Sequence, residues 1–188
     1  MNTVAIENKN KIHPHKFTMW VAIGSILMMF AGLTSAYIVK RNQAGWVSFQ
    51  LPVVFWYSTA VILASSGTLY MAARSFRDRL MSRNRQLMGA TMVLGIVFIA
   101  LQLIGFNQLW NLGLTLTSSV SYSFLYVIVG LHALHVIGGV IALIVMAIKA
   151  FSTRTRVYSS VPVELISTYW HFVDILWIYL LVFLLMIQ

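Results

Sequence analysis

The chain has 188 residues, 60% of them hydrophobic and 9% charged, whereas soluble domains carry roughly 25% charged residues; this balance favours an integral membrane protein over a soluble domain. Thirteen Lys and Arg against four Asp and Glu give a formal charge of +9, but the basic residues lie between apolar runs, which points to membrane topology rather than to nucleic acid. The absence of cysteine excludes disulfides, thiolate catalysis and cysteine-held zinc or iron–sulfur centres.

Residues 1–16 read as a polar tail containing Lys9, Lys11, Lys16 and the run His13-Pro14-His15. Two exposed histidines do not complete a metal shell, so a solvated tail is expected. Five apolar segments then approach or exceed the roughly 20 residues that a helical span needs, near 17–39, 53–73, 87–107, 122–148 and 165–187. In the first, Thr34-Ser35-Ala36 resembles a signal-peptide cleavage site, but the apolar run continues through Val39, so the segment is taken as a retained span. The second opens after Pro52, a residue tolerated in a first helical turn because its missing N–H has no partner there anyway. It also carries the run Ala64-Ser65-Ser66-Gly67-Thr68, suited to packing and hydrogen bonding between helices. The third has Gln102 near its middle, the fourth His132 and His135, and the fifth His171 and Asp174 with Glu164 at its start, after Pro162. No internal repeat, low-complexity linker or soluble domain interrupts them. The expected fold is all-α: a polytopic bundle of five transmembrane helices forming a single domain over 17–188.

Eleven basic residues fall on one side of these spans: Lys9, Lys11 and Lys16; Arg74, Arg77, Arg79, Arg83 and Arg85; Lys149, Arg154 and Arg156. Only Lys40 and Arg41 fall on the other. The positive-inside rule therefore predicts a cytoplasmic N-terminus and a C-terminus facing out. Aromatics fall where interfacial belts are expected, with Trp20, Tyr70, Tyr169 and Trp170 toward the inner face and Tyr37, Trp46, Trp56, Tyr57, Trp110 and Tyr122 toward the outer one. The pairs Gly32 with Ala36 and Gly138 with Ala142 have the small-residue spacing that lets helices approach closely.

Ionisable groups inside a membrane are costly, and each is a functional candidate. His132 and His135 are three apart and share a helix face; His171 and Asp174 repeat the spacing. His135 and Asp174 fall at similar depth on neighbouring antiparallel spans, so a pairing between them is expected. The alternatives are a metal or haem site built from the three histidines and Asp174, and a proton relay of an independent transporter. No Glu-x-x-His motif is present, as a carboxylate-bridged di-metal bundle would require. No nucleophile–base pair, phosphate loop or nucleotide fingerprint is present either.

The stretch "GLHALHVIGG" at 130–139, followed by "YWHFVDILW" at 169–177 with Glu164 before it, closely resembles the two signature stretches of subunit III of the haem–copper terminal oxidases, the cytochrome c oxidase subunit III family. "LP" at 51–52, "SSGT" at 65–68, and Phe98 with Gln102 are weaker echoes. The resemblance implies the short, five-helix bacterial type, located in the cytoplasmic membrane. It implies a non-catalytic subunit with no haem, copper or other cofactor of its own, the redox centres belonging to the catalytic subunit I. It further implies bound phospholipid, support of proton uptake, other oxidase subunits as partners and in some cases a supercomplex. The enclosing complex would reduce O2 to water and pump protons, with cytochrome c as electron donor; a quinol oxidase is the alternative. His132, His135, Glu164, Tyr169, Trp170, His171, Asp174 and Trp177 match motif positions, and lipid or inter-helix polar contacts are expected of them. The chain departs from the pattern at Gly105-Phe106, where many relatives have a Glu and an aromatic residue, and at Ser160, where a histidine is common.

Overall fold

A computed structural model describes residues 14–41, 46, 51–151 and 161–187. Its regular elements are five helices: α1 (Pro14–Arg41), α2 (Val54–Arg77), α3 (Met81–Asn111), α4 (Val120–Phe151) and α5 (Val161–Met186). Each core apolar run continues helically into its polar flanks, because backbone hydrogen bonding does not stop where hydropathy does. α1 already begins at Pro14, a residue suited to the first helical position. The basic segment expected as a connection between the second and third spans is mostly helical. Arg74 and Arg77 lie in the last turn of α2, and Arg83 and Arg85 in the first turns of α3. Only Asp78–Leu80 separates the two helices. That turn closes by bonds from Asp78 N–H to the Arg74 carbonyl and from Leu80 N–H to the Ser75 carbonyl. It requires a left-handed residue, which here is Arg79 at φ 58°. The buried Asn84 amide fastens the hairpin by donating to the Ala72 carbonyl at 2.8 Å.

α2, α3, α4 and α5 pack in a closed ring, each touching the next and α5 returning to α2, while α1 docks, among the described helices, against α4 and α5. α1 is correspondingly peripheral, burying Phe30, Thr34 and Tyr37. Its N-terminal end is held by an ion pair, Lys16 Nζ to Glu164 Oε2 at 2.8 Å, and its C-terminal half by the Thr34 and Tyr179 hydroxyls at 3.1 Å. These contacts make α1 parallel to α5. The end at which α1, α3 and α5 begin therefore carries Lys16 and the arginines of the α2–α3 hairpin.

Four helices, α1, α3, α4 and α5, are long and apolar enough to cross a membrane. α2 is not among them, although its 24 residues extend about 36 Å at 1.5 Å per residue. The cause is visible in its packing. Ser58, Thr59, Ser65, Ser66 and Thr68 lower its hydropathy, and all five make hydrogen bonds inside the bundle.

Two packing expectations are corrected. No other helix of the described residues comes within 4 Å of where a Cβ on Gly32 would stand, and both it and Ala36 are exposed. The glycines at close helix crossings are Gly95 on α3 and Gly139 on α4. Of the aromatics assigned to interfacial belts, Trp20, Trp56, Tyr57, Tyr70 and Trp110 do point outward, but Tyr37, Tyr122 and Trp170 are core residues, at most 5% exposed.

Candidate functional site

The polar and aromatic side chains of α5 meet a row of hydroxyls on α2. Trp170 Nε1–H donates to Ser65 Oγ at 3.2 Å, and Trp177 Nε1–H to Thr59 Oγ1 at 2.9 Å. His171 Nδ1 and Ser66 Oγ are hydrogen-bonded at 2.6 Å. Antiparallel helices bring these pairs together in order, Ser65–Ser66 opposite Trp170–His171 and Thr59 opposite Trp177. Ser65 passes the connection on to the Thr91 carbonyl of α3 at 3.4 Å, and Thr68 meets the Thr91 hydroxyl at 2.8 Å.

Trp170 is the keystone of the packing. Its ring lies between Gly95 on α3 and Gly139 on α4. A Cβ at Gly95 would stand 2.8 Å from Trp170 Cη2, and one at Gly139 would stand 3.0 Å from its Cε3 and Cζ3. Both positions must lack a side chain for the indole to reach Ser65.

Farther along, His132 is fully buried and stacks on Trp177 with centroids 5.0 Å apart, while Phe98 and Phe30 present edges to it at 6.1 and 6.4 Å. Gln102 Nε2–H donates to Ser58 Oγ at 3.1 Å. Around this aromatic cluster several buried polar atoms have no partner among the described residues: both ring nitrogens of His132, Gln102 Oε1, and both carboxyl oxygens of Asp174.

The expected pairing of His135 with Asp174 does not form. The two are at the same level, bracketed on antiparallel helices by the Trp170–Gly139 contact on one side and the Trp177–His132 stack on the other. Their side chains face different neighbours. His135 Nδ1–H donates to its own helix, to the Leu131 carbonyl at 2.7 Å, and its ring meets Phe30 of α1 at 5.8 Å. Asp174 is 3% exposed with Ser66 of α2 beside it. Nor do the histidines converge on a metal or haem. His132 is caged by aromatics, His135 is turned toward α1 and His171 is bonded to α2; no three His, Asp or Glu side chains gather among the described residues.

The sequence motifs thus mark α4 and α5, while half of each contact comes from elsewhere. Ser58 and Thr59 of α2 and Gly95 of α3 carried no signal that singled them out, whereas Gly139 closes the quoted 130–139 stretch and the Ser65-Ser66 pair lies in a small-residue run.

The family model of cytochrome c oxidase subunit III matches residues 15–187. The chain belongs to this family. It is 29% identical over 180 residues to cytochrome c oxidase subunit 3 of Bacillus sp. (strain PS3), covering 93% of this chain and 84% of that one. It is 32% identical over 184 residues to a probable cytochrome c oxidase subunit 3 of Nocardia farcinica, covering 89% and 88%. With its Corynebacterium diphtheriae counterpart the match is 28% over 204 residues, spanning 99% of this chain and the whole of the other. Subunit III membership, with four helices among the described residues long and apolar enough to cross a membrane, fits a multi-pass membrane protein.

The departure at Gly105 has a steric correlate. A Cβ there would stand 3.3 Å from Phe55 Cζ. Phe55 stacks on Trp177 at 6.1 Å, and Phe106 stacks on Tyr126 at 5.1 Å. In this subunit III an aromatic ring from α2 occupies the ground in front of Gly105. Ser160 lies outside the described residues.

Proposed function

We propose that the chain is a non-catalytic, five-span subunit of a proton-pumping cytochrome c oxidase in the bacterial cytoplasmic membrane, with its N-terminus in the cytoplasm and its C-terminus outside. It binds phospholipid, stabilises the catalytic subunit I, which carries the haem and copper, and supports its proton uptake. Other oxidase subunits, and a respiratory supercomplex, are its further partners. The observation that carries this reading is the family match along residues 15–187. The bundle is in keeping with it. Several of its polar groups hold helices to one another, as at Trp170–Ser65 and Trp177–Thr59.

α2 serves as the fifth span. Its length exceeds the ~30 Å hydrocarbon core, and its hydroxyls turn inward, so lipid meets residues such as Leu63, Tyr70 and Met71. The charge asymmetry supports the orientation: the basic α2–α3 turn and Lys16 lie at one end, and Lys40 and Arg41 end α1 at the other. Glu164, His171 and Asp174, with the aromatics beside them, would maintain the inter-helix and lipid contacts on which the catalytic partner depends.

The test is purification of the tagged chain from native membranes, with a reduced-minus-oxidised spectrum and peptide identification of the companions. Haem absorbance and a catalytic subunit are expected to co-purify. A preparation free of haem and of oxidase subunits would refute the reading. Oxidation assays with cytochrome c and with quinol on the same preparation identify the donor.

A further inference from the structure

The face of α5 that meets α2 is polar along half its length. Glu164, Ser167, His171 and Asp174 follow one another at helical spacing. At the end of the bundle where α5 begins, this face opens into a cavity of about 260 Å³ lined by Ala73, Phe76 and Arg77 of α2 and by Val163, Glu164, Ser167 and Thr168 of α5. A water molecule takes up about 30 Å³ of liquid, so this polar mouth holds several. Roughly one turn deeper along α5 is the half-buried His171, bonded to Ser66. Beyond it is Asp174, 3% exposed, whose carboxyl oxygens have no partner at hydrogen-bond geometry among the described residues, with the Ser66 hydroxyl beside it. A buried carboxyl with no protein partner is costly in low dielectric, and buried polar groups without protein partners are those that internal water serves.

We propose that the α2/α5 seam is a water inlet: it binds a file of water leading from the cavity at Arg77 and Glu164, past Ser167 and the Ser66–His171 pair, to the carboxyl of Asp174. The inlet gives a group near the middle of the membrane hydrogen-bond contact with one aqueous phase alone. The ionisable groups along or near it are Lys16 of α1, Arg74 and Arg77 of α2, and Glu164 and His171 of α5. α4 contributes His132 and His135 on other faces, and α3 has no charged residue beyond Arg85. The inlet is a property of this bundle and does not depend on the role proposed above.

The lack of cysteine makes the test direct. Single cysteines replace Ser167 at the mouth, Ser66 at depth, and Ile175, a 66% exposed apolar position, as the lipid-facing control. Each variant is assayed in its membrane-embedded complex with silver ion applied to one side at a time, and the modified peptide of this chain is quantified. Both Ser167→Cys and Ser66→Cys are expected to react from the side where α5 begins. Ser66→Cys should react at least about tenfold faster than Ile175→Cys, a factor that corresponds to ~1.4 kcal/mol of access. Reaction of Ser167→Cys with Ser66→Cys no faster than the control overturns the proposal, since the cavity would then end at its mouth. Faster reaction from the opposite side overturns it too. Should Ser66→Cys fail to assemble, His171→Cys at the same level reads the same question.

Discussion

Gly95→Ala places one methyl group where the bundle has no room for it. Its Cβ would stand 2.8 Å from Trp170 Cη2 and 2.9 Å from Val140 Cγ2, about an ångström inside the 3.5–4.0 Å at which carbon atoms rest. The indole cannot retreat easily. Gly139 closes its other side at 3.0 Å, and its N–H is bound to Ser65. Overpacking of a well-filled core costs about 1–3 kcal/mol, and the pinned ring puts this site in the upper half of that range. A loss of about 2–3 kcal/mol corresponds to a roughly 30- to 160-fold fall in the folded-to-unfolded ratio. The assay is denaturant unfolding of the purified subunit in mixed micelles, followed by tryptophan fluorescence. Gly32→Ala is the control, because nothing lies within 4 Å of that position, and a change within about 0.5 kcal/mol is expected for such a surface site. Trp170→Leu in the Gly95→Ala background should cost less than the sum of the two single changes, the signature of a shared contact. Equal stability of Gly95→Ala and Gly32→Ala would refute the slot.

Ser65→Ala strands the buried Trp170 N–H and should destabilise by about 1–3 kcal/mol, read in the same unfolding assay and as a shift in tryptophan emission. Lys16→Ala removes an ion pair whose side chains are 44% and 37% exposed; the expected loss is below about 1 kcal/mol and should vanish at high salt, as a salt titration of the unfolding midpoint will show. Arg79→Gly relieves a left-handed residue at φ 58° and should stabilise the α2–α3 turn by up to about 1 kcal/mol, measured as slower proteolysis at the turn. Asp174→Asn should preserve helix content by circular dichroism yet loosen the subunit's hold on lipid or catalytic partner; unchanged co-purification and lifetime under turnover would count against a supporting role.

The helices and their order were legible because 20-residue apolar runs have few other uses. Depth was legible too: counting residues put His135 and Asp174 at one level, where the flanking Trp170–Gly139 and Trp177–His132 contacts also put them. Rotation about the helix axis was not. In water, hydrophobicity tells the inner face from the outer; in lipid both faces are apolar, so nothing in the sequence turned His135 toward Phe30 and Asp174 toward Ser66. The same blindness favoured the Gly32/Ala36 pair over Gly95 and Gly139. Small-residue spacing marks a smooth face without saying whether a partner lies against it. α2 shows the converse, since its hydroxyls lower its apparent fitness to span while serving the inside of the bundle.

Those hydroxyls also bear on how the chain is made. Ser66 precedes His171 by 105 residues, and at about 5–20 residues per second of synthesis α2 waits roughly 5–20 s for the helix that completes its bonds. A carboxylate or amide in its place would meet lipid unsatisfied throughout that interval. Hydroxyls tolerate the wait, because Ser58 and Thr59 donate to the Phe55 carbonyl and Thr68 to the Ser65 carbonyl of their own helix. The tight α2–α3 turn makes the two helices one hairpin, with Asn84 already bonded to Ala72. The order of polar groups along the chain is thus a schedule: self-sufficient ones come early, and demanding ones such as Asp174 arrive when every neighbour is in place.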